Sequence, residues 1–205
     1  MNIGVLVSGR GSNLQAILDA IDTKHIKGNI SVVISDKSDI YALERLKGKT
    51  IASKIVLRAD YTSKEEFEDH LIQVLIDHNV ELVVLAGFLR VLGSKFIQEF
   101  NNRIINIHPS LLPAFPGLHS PKQALDYGVK FAGCTVHYVN EEVDGGPIIM
   151  QSVVPVLPED DEDSLASRIL VEEHQILTKA VQLHIEDRLK LNGRIVTITE
   201  GIYGV

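Results

Sequence analysis

Four short runs, Ile3–Val7, Ile30–Ser35, Lys54–Leu57 and Glu81–Ala86, are rich in Val and Ile and carry apolar side chains at both odd and even positions. A strand with one wet face alternates apolar and polar residues; a run that is apolar on both faces suits the interior of a parallel sheet. Parallel neighbours need crossovers. The intervening segments Asn13–Ile21, Ile40–Leu46 and Ser63–His78 supply them, with apolar residues at helical spacing. Ser63 and Glu66 have the spacing of a capping box at the start of the third helix. The first half is therefore predicted to be a doubly wound α/β unit.

The rhythm changes after Gly87. A strand is expected over Arg103–Ile107, then a proline-broken loop over His108–Leu118 and a helix opened by Ser120 and Pro121. Phe131–Val139 and Pro147–Val156 read as strands joined by Asn140–Gly146. That connection is too short for a helical crossover, so the pair should be antiparallel. A long helix from about Glu162 to Asp187 and a hairpin over Lys190–Thr199 around Asn192-Gly193 complete the chain. The expected fold class is α/β and Rossmann-like: a mixed, mostly parallel sheet flanked by helices, with antiparallel strands in the C-terminal half.

With 205 residues, 45% of them apolar and 23% charged, the chain can bury one core. A single domain over 1–205 is expected, its N-terminal half about 1–100 and its C-terminal half about 101–205. No run approaches the roughly 20 apolar residues that cross a bilayer, and Ile3–Val7 is too short for a signal-peptide core. One cysteine, Cys134, fits a reducing compartment, so the expected location is cytoplasmic, with no membrane partner. The formal charge of −7 argues against sequence-independent nucleic-acid binding, which depends on Lys and Arg neutralising phosphates. Anionic ligands must meet local donors.

Four places could carry chemistry. Ser8-Gly9-Arg10-Gly11-Ser12-Asn13 lies between the first strand and first helix, where backbone amides can cradle an anion. Asp36 at the end of the second strand would suit a dinucleotide ribose, but Leu14 stands at the third fingerprint glycine; a monophosphate, a dinucleotide and a plain glycine turn remain open. Asn106 and His108 lie two apart at a strand's carboxyl end, where ligands of open α/β sheets gather, so both should face one way. A lone histidine is usually structural; this pairing favours function. Asp144 before Gly145 and Gly146 is either turn chemistry or a carboxylate that reaches His108, where it would favour the imidazolium. Glu173 falls on the apolar stripe of the long helix, so it has a structural partner or meets a ligand. His119, His137, Glu141, Glu142 and His174 are conceivable metal ligands but follow no recognised zinc spacing, and no metal is expected.

Gly11-Ser12-Asn13, Ala86-Gly87-Phe88-Leu89-Arg90, Asn106-Ile107-His108-Pro109-Ser110-Leu111-Leu112-Pro113, Pro116-Gly117-Leu118-His119 and Asp144-Gly145-Gly146-Pro147 together resemble the glycinamide ribonucleotide formyltransferases of purine biosynthesis, in order and spacing across nearly the whole chain. The resemblance implies a formyltransferase fold and transfer of a formyl group from 10-formyltetrahydrofolate, the co-substrate, to the amine of 5′-phosphoribosylglycinamide. It implies that Gly11, Ser12 and Asn13 hold the substrate phosphate and that Glu173 contacts the ribonucleotide. Asn106, His108 and Asp144 would be catalytic. Lys64, Leu89, Arg90, Val91, Leu92 and Asn106 would meet the folate, with Asn140, Glu141, Glu142, Val143 and Asp144 closing over its pterin. Lys64 stands where some members have Arg. The partners implied are small molecules, with a monomer or homodimer. Alternatives are another amine acceptor, a nucleotide-binding module without catalysis, and a metal-dependent hydrolase.

Overall fold

The computed structural model describes residues 1–199, which fall into two compact units, the first Met1–Asn106 and the second from Ile107 onward. In the first unit, β1 (Asn2–Val7), β2 (Asn29–Ser35), β3 (Ala52–Ile55), β4 (Leu82–Leu85) and β5 (Ile104–His108) follow the order β3-β2-β1-β4-β5, and every pairing is parallel. The division between units falls inside β5. The crossovers hold α1 (Ser12–Asp22), α2 (Tyr41–Glu44), α3 (Lys64–Asp77) and α4 (Ser94–Glu99), with a 3-10 turn at Arg58–Asp60.

All four residues of β4 are buried, as are five of the six in β1, which is why these strands read as unbroken apolar runs. Gly4 lets α3 approach β1: a Cβ there would lie 2.6 Å from Leu75 Cδ2. Fully buried Leu14 and Ile17 anchor α1 to the core, and truncating either to Ala would cost about 2–5 kcal/mol. The cap of α3 differs in part from the expected box. Ser63 Oγ accepts from the Glu66 N–H at 3.1 Å, and the Glu66 carboxylate takes its closest contacts from the N–H and hydroxyl of Thr62.

The second unit contains α5 (Ser120–Tyr127), β6 (Phe131–Tyr138), β7 (Ile148–Pro155), α6 (Glu162–Ile185), β8 (Leu189–Asn192) and β9 (Ile195–Ile198). Here the strand order is β6-β7-β9-β8; β6–β7 and β8–β9 are antiparallel and β7–β9 parallel. The mixed, mostly parallel character and the antiparallel C-terminal strands are as the sequence predicts. In the terminal hairpin the two-residue turn is Gly193-Arg194, one position later than expected, with Gly193 at φ +58°. Helix α6 opens on a reciprocal box between Asp161 and Ser164 and packs its buried stripe, Leu165 to Leu183, against β6 and β7.

Candidate active site

In the first unit, residues 8–13 link β1 to α1. Gly11 takes φ +68°, and a Cβ would meet Ala42 Cβ at 2.6 Å, so only glycine fits. No side chain caps α1, so its first-turn amides lack a side-chain acceptor, the condition under which a helix N-terminus can receive an anion. Arg45 braces the loop, Nε donating to the Arg10 carbonyl at 2.8 Å and Nη1 to Gln15 at 3.2 Å. Asn13 is buried and Ser12 half-buried. Asp36 does not behave as a ribose acid. Its side chain is 2% exposed and takes the Arg90 Nε at 2.5 Å, so the dinucleotide reading loses its second support.

Residues 89–92 are held at three points. Leu89 N–H donates to Ser8 Oγ at 3.0 Å, Arg90 pairs with Asp36 while lying over the Phe67 ring, and Gly93 N–H donates to Glu68 Oε1 at 2.9 Å. Leu89 and Val91 stay exposed and Leu92 turns into the core. Lys64 Nζ lies 3.5 Å from that same Glu68 oxygen, so the structure sets its cation against its own helix.

The second unit places His108, 5% exposed, at the end of β5. Strand alternation puts Asn106, half-buried, on the same side of β5. The two ring nitrogens of His108 have different neighbours. Nε2 lies 2.9 Å from the Phe115 carbonyl, and Nδ1 lies 3.4 Å from Asp144 Oδ2. A carbonyl only accepts, so Nε2 carries a hydrogen, and Nδ1 is the nitrogen turned to the carboxylate.

Asp144 is the hub. Its Oδ2 accepts the Gly117 N–H at 2.8 Å, and His137 Nε2 stands 3.8 Å from Oδ1, an ion-pair rather than a hydrogen-bond distance. Burial pushes the Asp144 carboxyl upward, but the polar contact from His137, the Gly117 amide and the charges of His108 and His137 outweigh it and hold the group below its ordinary value. The turn permits no substitute at Gly146, where a Cβ would fall 1.7 Å from the Tyr138 carbonyl oxygen. Asn140, Glu141, Glu142 and Val143 occupy the outer part of this turn, with Asn140 Oδ1 accepting the Glu142 N–H.

The loop after His108 is fastened from below by Thr135 on β6. Its hydroxyl donates to the Ser110 carbonyl at 2.7 Å and accepts from the Leu112 N–H at 3.1 Å and Gln151 Nε2 at 3.0 Å. Thr135, His137 and Phe115 escaped sequence reasoning as parts of this site; His137 entered only as a conceivable metal ligand. For Thr135 and His137 the available signal was their i, i+2 spacing on β6, which puts them on one face without saying which loop that face meets; Phe115 had none. His119 instead pairs with Glu162 at 3.4 Å on the surface. Among the described residues no cluster of three His, Cys, Asp or Glu side chains could hold a metal ion. Glu173 is buried on α6; its charge and that of Glu172 add to burial in pushing the Cys134 thiol up to about 12.

A parallel α/β unit with a glycine-bearing loop after its first strand, and a second unit with a His–Asp pair beside its sheet, fit the α/β class of group-transfer enzymes. The chain belongs to the formyl transferase family, whose model matches residues 1–181. It is 43% identical to the phosphoribosylglycinamide formyltransferase of Escherichia coli (strain K12), covering 94% of this chain and 91% of that protein. The glycinamide ribonucleotide transformylase 1 structure from Symbiobacterium toebii aligns with a TM-score of 0.96 at 49% identity, covering 98% of this chain and 94% of that one. The trifunctional purine biosynthetic protein adenosine-3 of Drosophila melanogaster is 46% identical over 88% of this chain, which corresponds to 14% of that longer protein.

Proposed function

We propose that this chain, as one formyltransferase domain over 1–205, transfers the formyl group of 10-formyltetrahydrofolate to the amine of 5′-phosphoribosylglycinamide. The products are formylglycinamide ribonucleotide and tetrahydrofolate, in the cytoplasm. The observation that carries this is the pairing of His108 with Asp144 at 3.4 Å beside an asparagine two residues earlier on the same strand. Attack of the neutral amine on the formyl carbon puts negative charge on the former carbonyl oxygen. Asn106 donates its amide hydrogen to that oxyanion and His108 donates from Nδ1, a contact long enough here to be shared with an arriving oxygen. Asp144 balances the imidazolium and takes the amine's proton through water. Collapse breaks the carbon–nitrogen bond to folate, and the departing nitrogen is protonated by His108 or water.

Gly11, Ser12 and Asn13 hold the phosphate, and Glu173 contacts the ribonucleotide. Leu89, Arg90 and Val91 face the folate and Leu92 meets it through its backbone, with Asn140 to Asp144 over its pterin. The Lys64 assignment is weaker, since its ammonium is engaged by Glu68. The deciding experiment is absorbance-monitored deformylation of 10-formyltetrahydrofolate, with and without phosphoribosylglycinamide. Turnover should require that acceptor. Acceptor-independent hydrolysis would overturn the transferase reading, and folate binding without turnover would move it to another amine. Asn106→Ala and Asp144→Asn should each lower kcat by about 10²–10³-fold while folate affinity changes little.

A further inference from the structure

The Phe115 backbone stands at φ +54°, a left-handed conformation that a bulky side chain rarely adopts without being held there. Two things sit at its ends. Its carbonyl accepts from His108 Nε2 at 2.9 Å, and Phe115 lines an open cavity of about 300 Å³ together with Ser110, Ala124, Tyr127, Val129 and Phe131. There the ring meets Tyr127 edge-on, with centroids 5.8 Å apart. Tyr127 is itself 79% exposed, so the contact is made near the surface; being directional, it orients the half-buried ring and with it the backbone that carries the carbonyl. Loop fasteners on both sides leave that carbonyl little room: Ser110 Oγ donates to the Ala114 carbonyl at 2.6 Å, and Gly117 N–H donates to Asp144.

We propose that Phe115 is a positioning residue that selects which nitrogen of His108 reacts. Seated by its ring, it commits Nε2–H to its own carbonyl, so Nδ1 is the nitrogen presented to Asp144 and to the formyl oxygen. A histidine lacking this anchor distributes its hydrogen between both nitrogens and rotates. This rests on the reading of His108 as the reacting histidine, but its first test uses no substrate. Ring-nitrogen NMR of ¹⁵N-histidine-labelled protein should show a hydrogen on Nε2 of His108. In the neutral ring of Asp144→Asn the hydrogen should stay on Nε2; a hydrogen on Nδ1 there would overturn the proposal.

Adding Phe115→Ala to Asp144→Asn should replace that single tautomer by a mixture. Phe115→Ala alone should lower kcat about tenfold with KM for both substrates unchanged, and Phe115→Tyr, which keeps the ring, should restore it. Unchanged ring-nitrogen signals in Phe115→Ala, or a rise in KM without a fall in kcat, would reduce Phe115 to packing. Should Phe115→Ala fail to fold, Phe115→Leu, which fills the space without a ring to meet Tyr127, takes its place in the same tautomer measurement, and a single Nε2–H tautomer in Phe115→Leu with Asp144→Asn would overturn the proposal. If the tautomers behave as stated and no formyl transfer is found, the positioning stands and the function falls.

Discussion

Asp144 is fastened on one oxygen by an amide and faces a histidine from each side, and that arrangement fixes its response to acid. Its folded-state value is depressed, so its contribution to stability is complete above the ordinary carboxylate range and is lost as pH falls through the depressed value. The stability difference between the parent and Asp144→Asn, from urea melts, should therefore stay level from pH 7 to about 5 and shrink only below about pH 4, near and under the reference for aspartate. A difference that collapses by pH 5.5 would mean that histidine charge, not the carboxylate, governs the network. Gly146 sets a second test at this scale, because a methyl group there would fall inside the Tyr138 carbonyl. Gly146→Ala should lose more than about 2 kcal/mol in the same melts and almost all turnover, since moving the turn moves Asp144. The Asn–Ile–His spacing and the Asp–Gly–Gly turn were legible from sequence because local geometry dictates them. The roles of His137 and Phe115 were not, because one depends on strand register and the other on a single left-handed backbone angle.

Among the elements, β6 does more than form sheet. Thr135 gives its one hydrogen to the Ser110 carbonyl and accepts two donors, so a buried hydroxyl joins the strand to the loop that follows His108. Thr135→Val keeps the shape and removes all three bonds, leaving buried polar groups unpaired; a cost of about 2–4 kcal/mol follows from a desolvation penalty of about 1–3 kcal/mol per group with partial relaxation. Chemical denaturation measures that loss, and faster amide exchange at Leu112 would localise it; an unchanged midpoint would show that water replaces the hydroxyl without cost. The strands were easy to anticipate where burial on both faces left a continuous apolar run, as in β1 and β4. Edge strand β3 was placed two residues late because three of its four residues are exposed and its pattern is weak. Helix α4 and the 3-10 turn at Arg58–Asp60 were missed, being six and three residues long, too short for a 3.6-residue period to register. The α6 box went unnoticed because Ser164 replaces the usual Glu or Gln of the motif.

Across the whole molecule, the proposed tasks divide between the two compact units: the anion loop at residues 8–13 belongs to the first and the His108–Asp144 pair to the second. A net charge of −7 makes binding of a phosphorylated acceptor depend on that loop rather than on any general attraction. The proposal therefore requires a particular pattern of kinetic losses. Charge-assisted hydrogen bonds contribute about 1.5–3 kcal/mol each, so removing the phosphate from the acceptor should lower kcat/KM by about 10²–10⁴-fold in the parent enzyme. Ser12→Ala removes one donor and should cost about tenfold with the phosphorylated acceptor and nothing with its dephosphorylated counterpart. Asp144→Asn should lower turnover of both acceptors by the same factor, because it acts on the formyl group and not on the phosphate. Equal losses for both acceptors in Ser12→Ala would show that residues 8–13 act as a structural turn, and would return the choice of acceptor to residues of the second unit such as Glu173.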